Sequence, residues 1–423
     1  MFNQYWKQAI ASLRENPLIS FLTILGTTLC IALLLVLMLT YQIRTASYSP
    51  VSNRSNLLYV SFIEGRQINS TNNWRGALGN RIVREGFYNM ETPAVVSAVS
   101  SDVDNRHTTV SGVKNNRESA VRLVDANFWK IFDVRFITGK PFTEEMFQSA
   151  VPVAVIDEQV ARELYNTTEV AGKTIQLDYI DYTISGVIRT VSKAANEVYG
   201  EVWIPYTTDK IINSSGAEGI CGSLVVNILI DPSTNANIVK EEVRQRIDAY
   251  NKGQAEYVAN IIGQPVNGFR RMFYNLYDDR LNGQFSGMLV LAVLFFLLPV
   301  LNLLGITFSQ IRKRQPEIGL RKAFGATTPS IIIQMFFENL ITTMIGAVAG
   351  IVLSILFFIL AKDGLIGSAG VALQPEMLIR PGLFISAVFI CLMINTMSAG
   401  IPAWYITKMP LIDSLNKNLQ SNK

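Results

Sequence analysis

Arg312–Thr327 reads RKRQPEIGLRKAFGAT, a basic, helix-capable segment set between two apolar runs, each long enough to cross a bilayer. Pro316 suits a first helical position, Glu317 sits where the helix dipole favours negative charge, and Gly325 supplies a left-handed stop. Glu317 and Arg321 stand four apart, in the favourable order for an ion pair. Leu320 and Phe324 share a face at the same spacing, so one short helix presents an apolar knob ringed by Arg321 and Lys322. A knob of that kind is a docking surface for another protein. The same cations would also anchor the flanking helices by the positive-inside rule, and charge alone does not separate the two readings.

The composition fits a chain partly in lipid: 423 residues, 49% hydrophobic and 17% charged. The net charge of +4 is modest, and the cations gather beside apolar runs instead of forming a basic stripe with interleaved aromatics, which argues against nucleic-acid binding. Of the three cysteines, Cys30 and Cys391 lie in apolar runs and Cys221 stands alone in the polar middle, so that middle region cannot hold an internal disulfide.

In chain order, residues 1–17 carry Lys7 and Arg14 on an amphipathic pattern and read as a cytoplasmic interfacial helix. Residues 18–43 form a first span of almost uncharged sequence. This run exceeds the roughly 7–15 apolar residues of a signal peptide, and no clear small-residue cleavage site follows. Residues 44–283 are polar with short alternating runs. Strands are predicted at Leu57–Ile63, Val151–Ile156, Thr174–Asp178, Tyr182–Ile188 and Leu224–Ile230, and helices at Glu158–Tyr165 and Asn235–Tyr250. The mixture predicts an α+β domain with its own core.

Residues 284–311 form a second span, in which Pro299 and Asn302 read as a bend with a satisfied amide. After the coupling segment 312–328 comes a third span, 329–361, where Glu338 reads as an interfacial anchor instead of a proton relay. Gly346 and Gly350 form a GxxxG pair there, which lets two helix backbones approach closely. Residues 362–381 read as an outer loop, 382–406 as a fourth span, and 407–423 as a cytoplasmic tail. Placing 1–17, 312–328 and 407–423 on one side concentrates Lys and Arg there, so both termini are cytoplasmic and 44–283 is extracytoplasmic.

Gly172-Lys173-Thr174 lacks a phosphate-loop glycine five residues upstream, where Thr167 stands, so Lys173 reads as a surface residue. His107 is the only histidine and reads as a loop residue, and no metal-ligand spacing appears. Neither a catalytic nor a metal site is predicted.

EIGLRKAFGA, from Glu317, closely resembles the signature between the second and third membrane helices of MacB/FtsX-type ABC transporter permeases. RLVDANFWKIFDVRFITGKPFTEE from Arg122, VAVIDEQVARELY from Val153 and AGKTIQLDYIDYTISGVI from Ala171 resemble that family's periplasmic core domain. LTILG at Leu22–Gly26 is similar to its first-helix pattern, and Pro402-Ala403-Trp404 with Met409-Pro410 to its closing one; Thr407 and Ser414 replace the usual small residues.

The resemblance implies an α-helical membrane protein with four transmembrane helices, a large α+β extracytoplasmic domain between the first two, and an inner-membrane location. It further implies that Glu317, Ile318, Gly319, Leu320, Arg321, Lys322, Phe324 and Gly325 rest on a separate ABC ATPase, which would hold the ATP and magnesium, this chain needing no cofactor. The other implied partners are a second permease copy or a paralogue, the lipid bilayer and, for efflux, a periplasmic adaptor and an outer-membrane channel. The implied work is mechanotransmission for efflux or for lipoprotein or envelope cargo release. The alternatives are a peptide sensor or a cell-wall-hydrolase regulator of the same superfamily.

Overall fold

The computed structural model describes residues 17–45, 49–70, 73–110, 116–193, 195–210, 212, 219–271, 320, 324–366, 381–382 and 384–393. All but Pro17 of the interfacial helix predicted over 1–17, the second span, most of the coupling segment and of the outer loop, the C-terminal part of the fourth span and the tail lie outside these residues. The chain divides into two compact units, one built on Arg44–Gln284 and the other on the apolar segments before and after it.

In the apolar unit, α1 runs over Pro17–Thr45. Its stretch Ser20–Leu39 has a mean hydropathy of 2.6, long and apolar enough to cross a membrane. The other long helix is Thr328–Ile366, with a crossing stretch at Leu340–Ala361. It continues past residue 361, where the sequence predicts the outer loop to begin, and takes Gly364 into the helix before ending at Ile366. A third apolar helical stretch covers Phe384–Met393.

The outer unit has an α+β fold. Six strands, β5 (Asp104–Thr109), β6 (Asn116–Val124), β8 (Val153–Asp157), β9 (Thr174–Leu177), β10 (Ile180–Ile188) and β11 (Val202–Pro205), pair in the order β6-β5-β9-β10-β8-β11 and back to β6. That closed ring leaves none of its strands with two open edges. By register Ala154, Ile156, Tyr182, Ile184 and Val202 share one face of it, each with at most 1% exposure. Phe136–Gly139, β7, adds to the outer end of β10.

α2 (Glu158–Tyr165) follows β8 directly. Asp157 caps it by accepting from the Gln159 and Val160 amides, Asn166 ends it at φ +57°, and Val160, Ala161 and Leu164 face the core. Gly172 turns the chain into β9 at φ +87°. Gly186 lies at the register shift in the β10–β8 pairing, against the Phe136 ring.

A second lobe is built on β1 (Leu57–Val60), β2 (Ile63–Gln67), β3 (Asn73–Leu78), β4 (Val95–Ser100), β12 (Cys221–Gly222), β13 (Leu224–Leu229), β14 (Tyr257–Asn260) and β15 (Val266–Asn267). β13 is central, flanked by β1 and β4, and β15 lies outside β1. α3 (Ala236–Lys252) starts at an Asn235 cap and buries Val239, Val243, Ile247 and Tyr250, one apolar stripe at helical spacing. The two lobes share one apolar core. Their sheets meet through one ladder pair, Val99 opposite Val124.

Two sequence expectations need correction here. The predicted strand Leu57–Ile63 is two strands, because the Gln264 side chain accepts from the Ser61 amide at 2.6 Å and donates to the Phe62 carbonyl at 2.8 Å, drawing those groups out of the ladder. His107 is not a loop residue. It stands in β5 opposite Glu118, held there by pairing with β6 although DNRHTT carries no strand pattern of its own.

Candidate coupling site and the roots of the outer domain

Of the eight residues that the resemblance places on an ATPase, Leu320, Phe324 and Gly325 are described, and Glu317, Ile318, Gly319, Arg321 and Lys322 lie outside the described residues. The Phe324 amide donates to the Leu320 carbonyl at 3.1 Å, one helical turn, which puts both side chains on one face. They are 54% and 84% exposed, so the apolar knob has no cover within this chain's described residues. Gly325 follows at φ +91°, the left-handed conformation that ends a helical turn.

The Thr328–Ile366 helix, α4, packs on α1 through its two small residues. A Cβ on Gly346 would fall 2.9 Å from the Thr27 side chain, and one on Gly350 would fall 2.9 Å from the Thr28 carbonyl and 3.0 Å from Ile31. Thr23, Thr27 and Thr28 of α1 and Thr342, Thr343 and Ser354 of α4 are all buried. Thr27 returns its hydroxyl to the Thr23 carbonyl at 2.8 Å, so close packing leaves that donor satisfied. Beside this seam, Cys30, Ile31 and Leu35 of α1 meet Ala347 of α4 and Ala387 and Cys391 of the Phe384–Met393 helix.

In the outer unit, the chain enters by β1 and leaves by β15, and these two strands pair antiparallel: Leu58 opposite Asn267 and Tyr59 opposite Val266. Around this root Arg54 and Arg271 converge on Glu197, at 3.4 and 3.8 Å, and the Arg271 guanidinium lies over the Tyr59 ring, 4.6 Å from its centre. Burial pushes the Tyr59 hydroxyl well above its ordinary range, with Glu197 adding to the rise.

Two buried polar residues hold the lobes together, both in the segment that begins at Arg122. The Arg122 guanidinium donates to the carbonyls of Ser100 at 3.0 Å, Asn196 at 2.9 Å and Tyr199. Burial, with Arg271 nearby, lowers its pKa to about 10. Asp125 accepts from the Ser97 hydroxyl at 2.7 Å, the Ala98 amide at 2.8 Å, the Tyr88 hydroxyl at 2.8 Å and the Phe128 amide at 2.9 Å. Tyr88 in turn meets the Tyr206 hydroxyl at 2.9 Å. Burial raises the Asp125 carboxyl to about 6 against the pull of those donors.

Sequence reading did not single out Arg122, Asp125 or Glu197. Asp125 carried a local signal, an Asp three residues before an apolar helical turn at Phe128, while Arg122 and Glu197 carried none. Lys173 is exposed, its ammonium 5.3 Å from the centre of the Tyr165 ring. Cys221 is buried, and burial pushes its thiol up. Among the described residues no group of three His, Cys, Asp or Glu side chains could hold a metal ion.

An α+β domain inserted in the sequence between apolar helices, with its two chain ends side by side, defines a membrane protein whose outer domain is tied to its spans at one root. The MacB-like periplasmic core domain matches residues 20–246 and the FtsX-like permease C-terminal domain residues 289–411, and the chain belongs to the MacB/FtsX-type ABC transporter permeases.

The ABC transporter permease YknZ of Bacillus subtilis is 20% identical over 358 residues, covering 82% of this chain and 83% of that one. The macrolide export ATP-binding/permease protein MacB of Photorhabdus laumondii is 23% identical over 276 residues, 64% of this chain and 40% of its own length. The chain thus spans about two-fifths of that relative. The solved periplasmic region of MacB from Actinobacillus actinomycetemcomitans has a TM-score of 0.35 at 12% identity, covering 49% of this chain and 89% of that one.

Proposed function

We propose that this permease subunit passes the force of ATP hydrolysis from a separate ATPase to its outer domain, for efflux or for release of lipoprotein or envelope cargo. The single observation that carries this is the pairing of β1 with β15: both connections to the membrane helices act on one edge of one sheet, so a shift of either helix loads the same root. The printed name of the MacB relative joins an ATP-binding part to a permease part, which supports coupling of this permease to an ATPase.

In this reading four spans cross the inner membrane, both termini and the 312–328 segment are cytoplasmic, and residues 44–283 face the periplasm. The exposed Leu320 and Phe324 side chains seat in the ATPase, with Glu317, Ile318, Gly319, Arg321, Lys322 and Gly325 completing the contact. ATP and magnesium are held by that partner. A second permease copy or a paralogue completes the complex, and efflux would add a periplasmic adaptor and an outer-membrane channel.

The test is a mild-detergent pull-down of the tagged chain with an ATPase assay of the eluate. Leu320→Asp or Phe324→Asp should remove the ATPase while membrane insertion survives. Unchanged co-purification with both variants would overturn the assignment.

A further inference from the structure

We infer that Glu197, gripped by Arg54 and Arg271, is the residue through which displacement of the two membrane connections reaches the six-stranded ring; this rests on the force-transmitting reading above. The placement of the three residues carries the inference. Arg54 lies just before β1 and Arg271 just after β15, so each sits on one of the chain's two paths between the outer domain and the membrane helices. Glu197 belongs to the other lobe, in the connection from β10 to β11. One carboxylate therefore joins both paths to the ring.

The seat of Glu197 is rigid. Its neighbours on either side are fixed through their carbonyls: Asn196 accepts from Arg122 at 2.9 Å and Val198 from the Trp203 indole at 3.0 Å. Arg122 stands on β6 and Trp203 on β11, and these strands pair in parallel where the ring closes, with Trp203 opposite Arg122. A pull on Glu197 is thus delivered to the closing pair of strands with little slack between.

The grip itself is looser. The carboxylate is 14% exposed, and its guanidinium contacts of 3.4 and 3.8 Å are longer than a well-made charged hydrogen bond of about 2.7–2.9 Å. Two partly screened contacts of that length can shift one at a time without stranding a buried charge. The lobes also touch through the Val99–Val124 ladder pair and through Arg122 and Asp125, but these contacts lie on neither membrane connection.

The experiment uses the full complex with its ATPase in nanodiscs. Spin labels at Lys173→Cys on the ring and Lys252→Cys at the end of α3 report the distance between lobes, with the native cysteines replaced by serine. The wild-type background should show an ATP-dependent change in that distance. Glu197→Gln should keep the ATPase bound and hydrolysing but lose the distance change, and Glu197→Asp should recover part of it.

A merely structural Glu197 would lower the melting temperature in the Gln variant and leave the ATP-dependent change intact, which overturns the inference. No change in the unmutated background instead overturns the force-transmitting reading. If Glu197→Gln does not assemble, Arg271→Gln removes one side of the grip alone, and the same two outcomes decide.

Discussion

Gly350 of α4 lies so close to the Thr28 carbonyl of α1 that a Cβ there would stand 2.9 Å from the oxygen. The contact is with backbone, which cannot rotate away, so Gly350→Leu must push the two helices apart. Overpacking of this kind costs about 1–3 kcal/mol. The expected outcome is a lower melting temperature of the detergent-solubilised chain, with Gly346→Ala milder only because it adds a single methyl, since the Thr27 Cβ it meets at 2.9 Å is as fixed as backbone. An unchanged melting temperature for Gly350→Leu would show that α1 does not rest on this face.

The Cys30 and Cys391 thiols meet in the apolar cluster beside that seam. A membrane-permeant mild oxidant should therefore join α1 to the Phe384–Met393 helix within one chain. The product is a reducible, faster-migrating band on a non-reducing gel in a Cys221→Ser background. Cross-linking only between separate chains would contradict the packing.

Asp125→Asn should cost about 2–3 kcal/mol of outer-domain stability, because one buried backbone donor loses its acceptor. Each carboxylate oxygen accepts from one backbone amide, Phe128 on one side and Ala98 on the other. Whichever way the new amide turns, its NH2 faces an N–H. Chemical denaturation of the full chain at neutral pH reads the loss, and full retention would mean that the pocket relaxes around the substitution.

A protonated Asp125 differs from asparagine, since its O–H can turn to Tyr88 while the oxygen keeps a lone pair. Its folded pKa, about 6, lies above the unfolded value of about 3.9, so between those values the folded state binds the extra proton. Stability from this group is therefore fully present below pH 4 and is lost as pH rises towards 6, by up to about 3 kcal/mol. The Asn variant should lack this component of the pH slope, and parallel slopes for the two proteins would refute it.

Arg122→Lys keeps the charge but offers a single ammonium to three carbonyls on two sides of the lobe junction. Stability should fall by about 2–4 kcal/mol, read by the denaturant midpoint. Limited proteolysis should open the 189–201 connection first. A variant as resistant as the unmutated chain would assign the clamp elsewhere.

The sequence by itself determined what is local. The apolar lengths of α1 and α4 follow from composition, and α2 is observed over the same Glu158–Tyr165 that its Asp157 cap and apolar stripe mark out. β13 was legible as a short run rich in β-branched residues, LVVNIL, and the structure buries nearly all of it. β5 was not, since DNRHTT is a strand only by virtue of β6 beside it.

What only the tertiary structure decided is which distant residues meet: Gly350 with Thr28, Asp125 with Ser97 and Tyr88, and Glu197 with both Arg54 and Arg271. The physical reason is that caps, charge spacing and apolar period act within a few residues. A carboxylate's partners from positions 54 and 271 are set by the pairing of β1 with β15 and the closure of the ring, and neither leaves a mark on the sequence around Glu197.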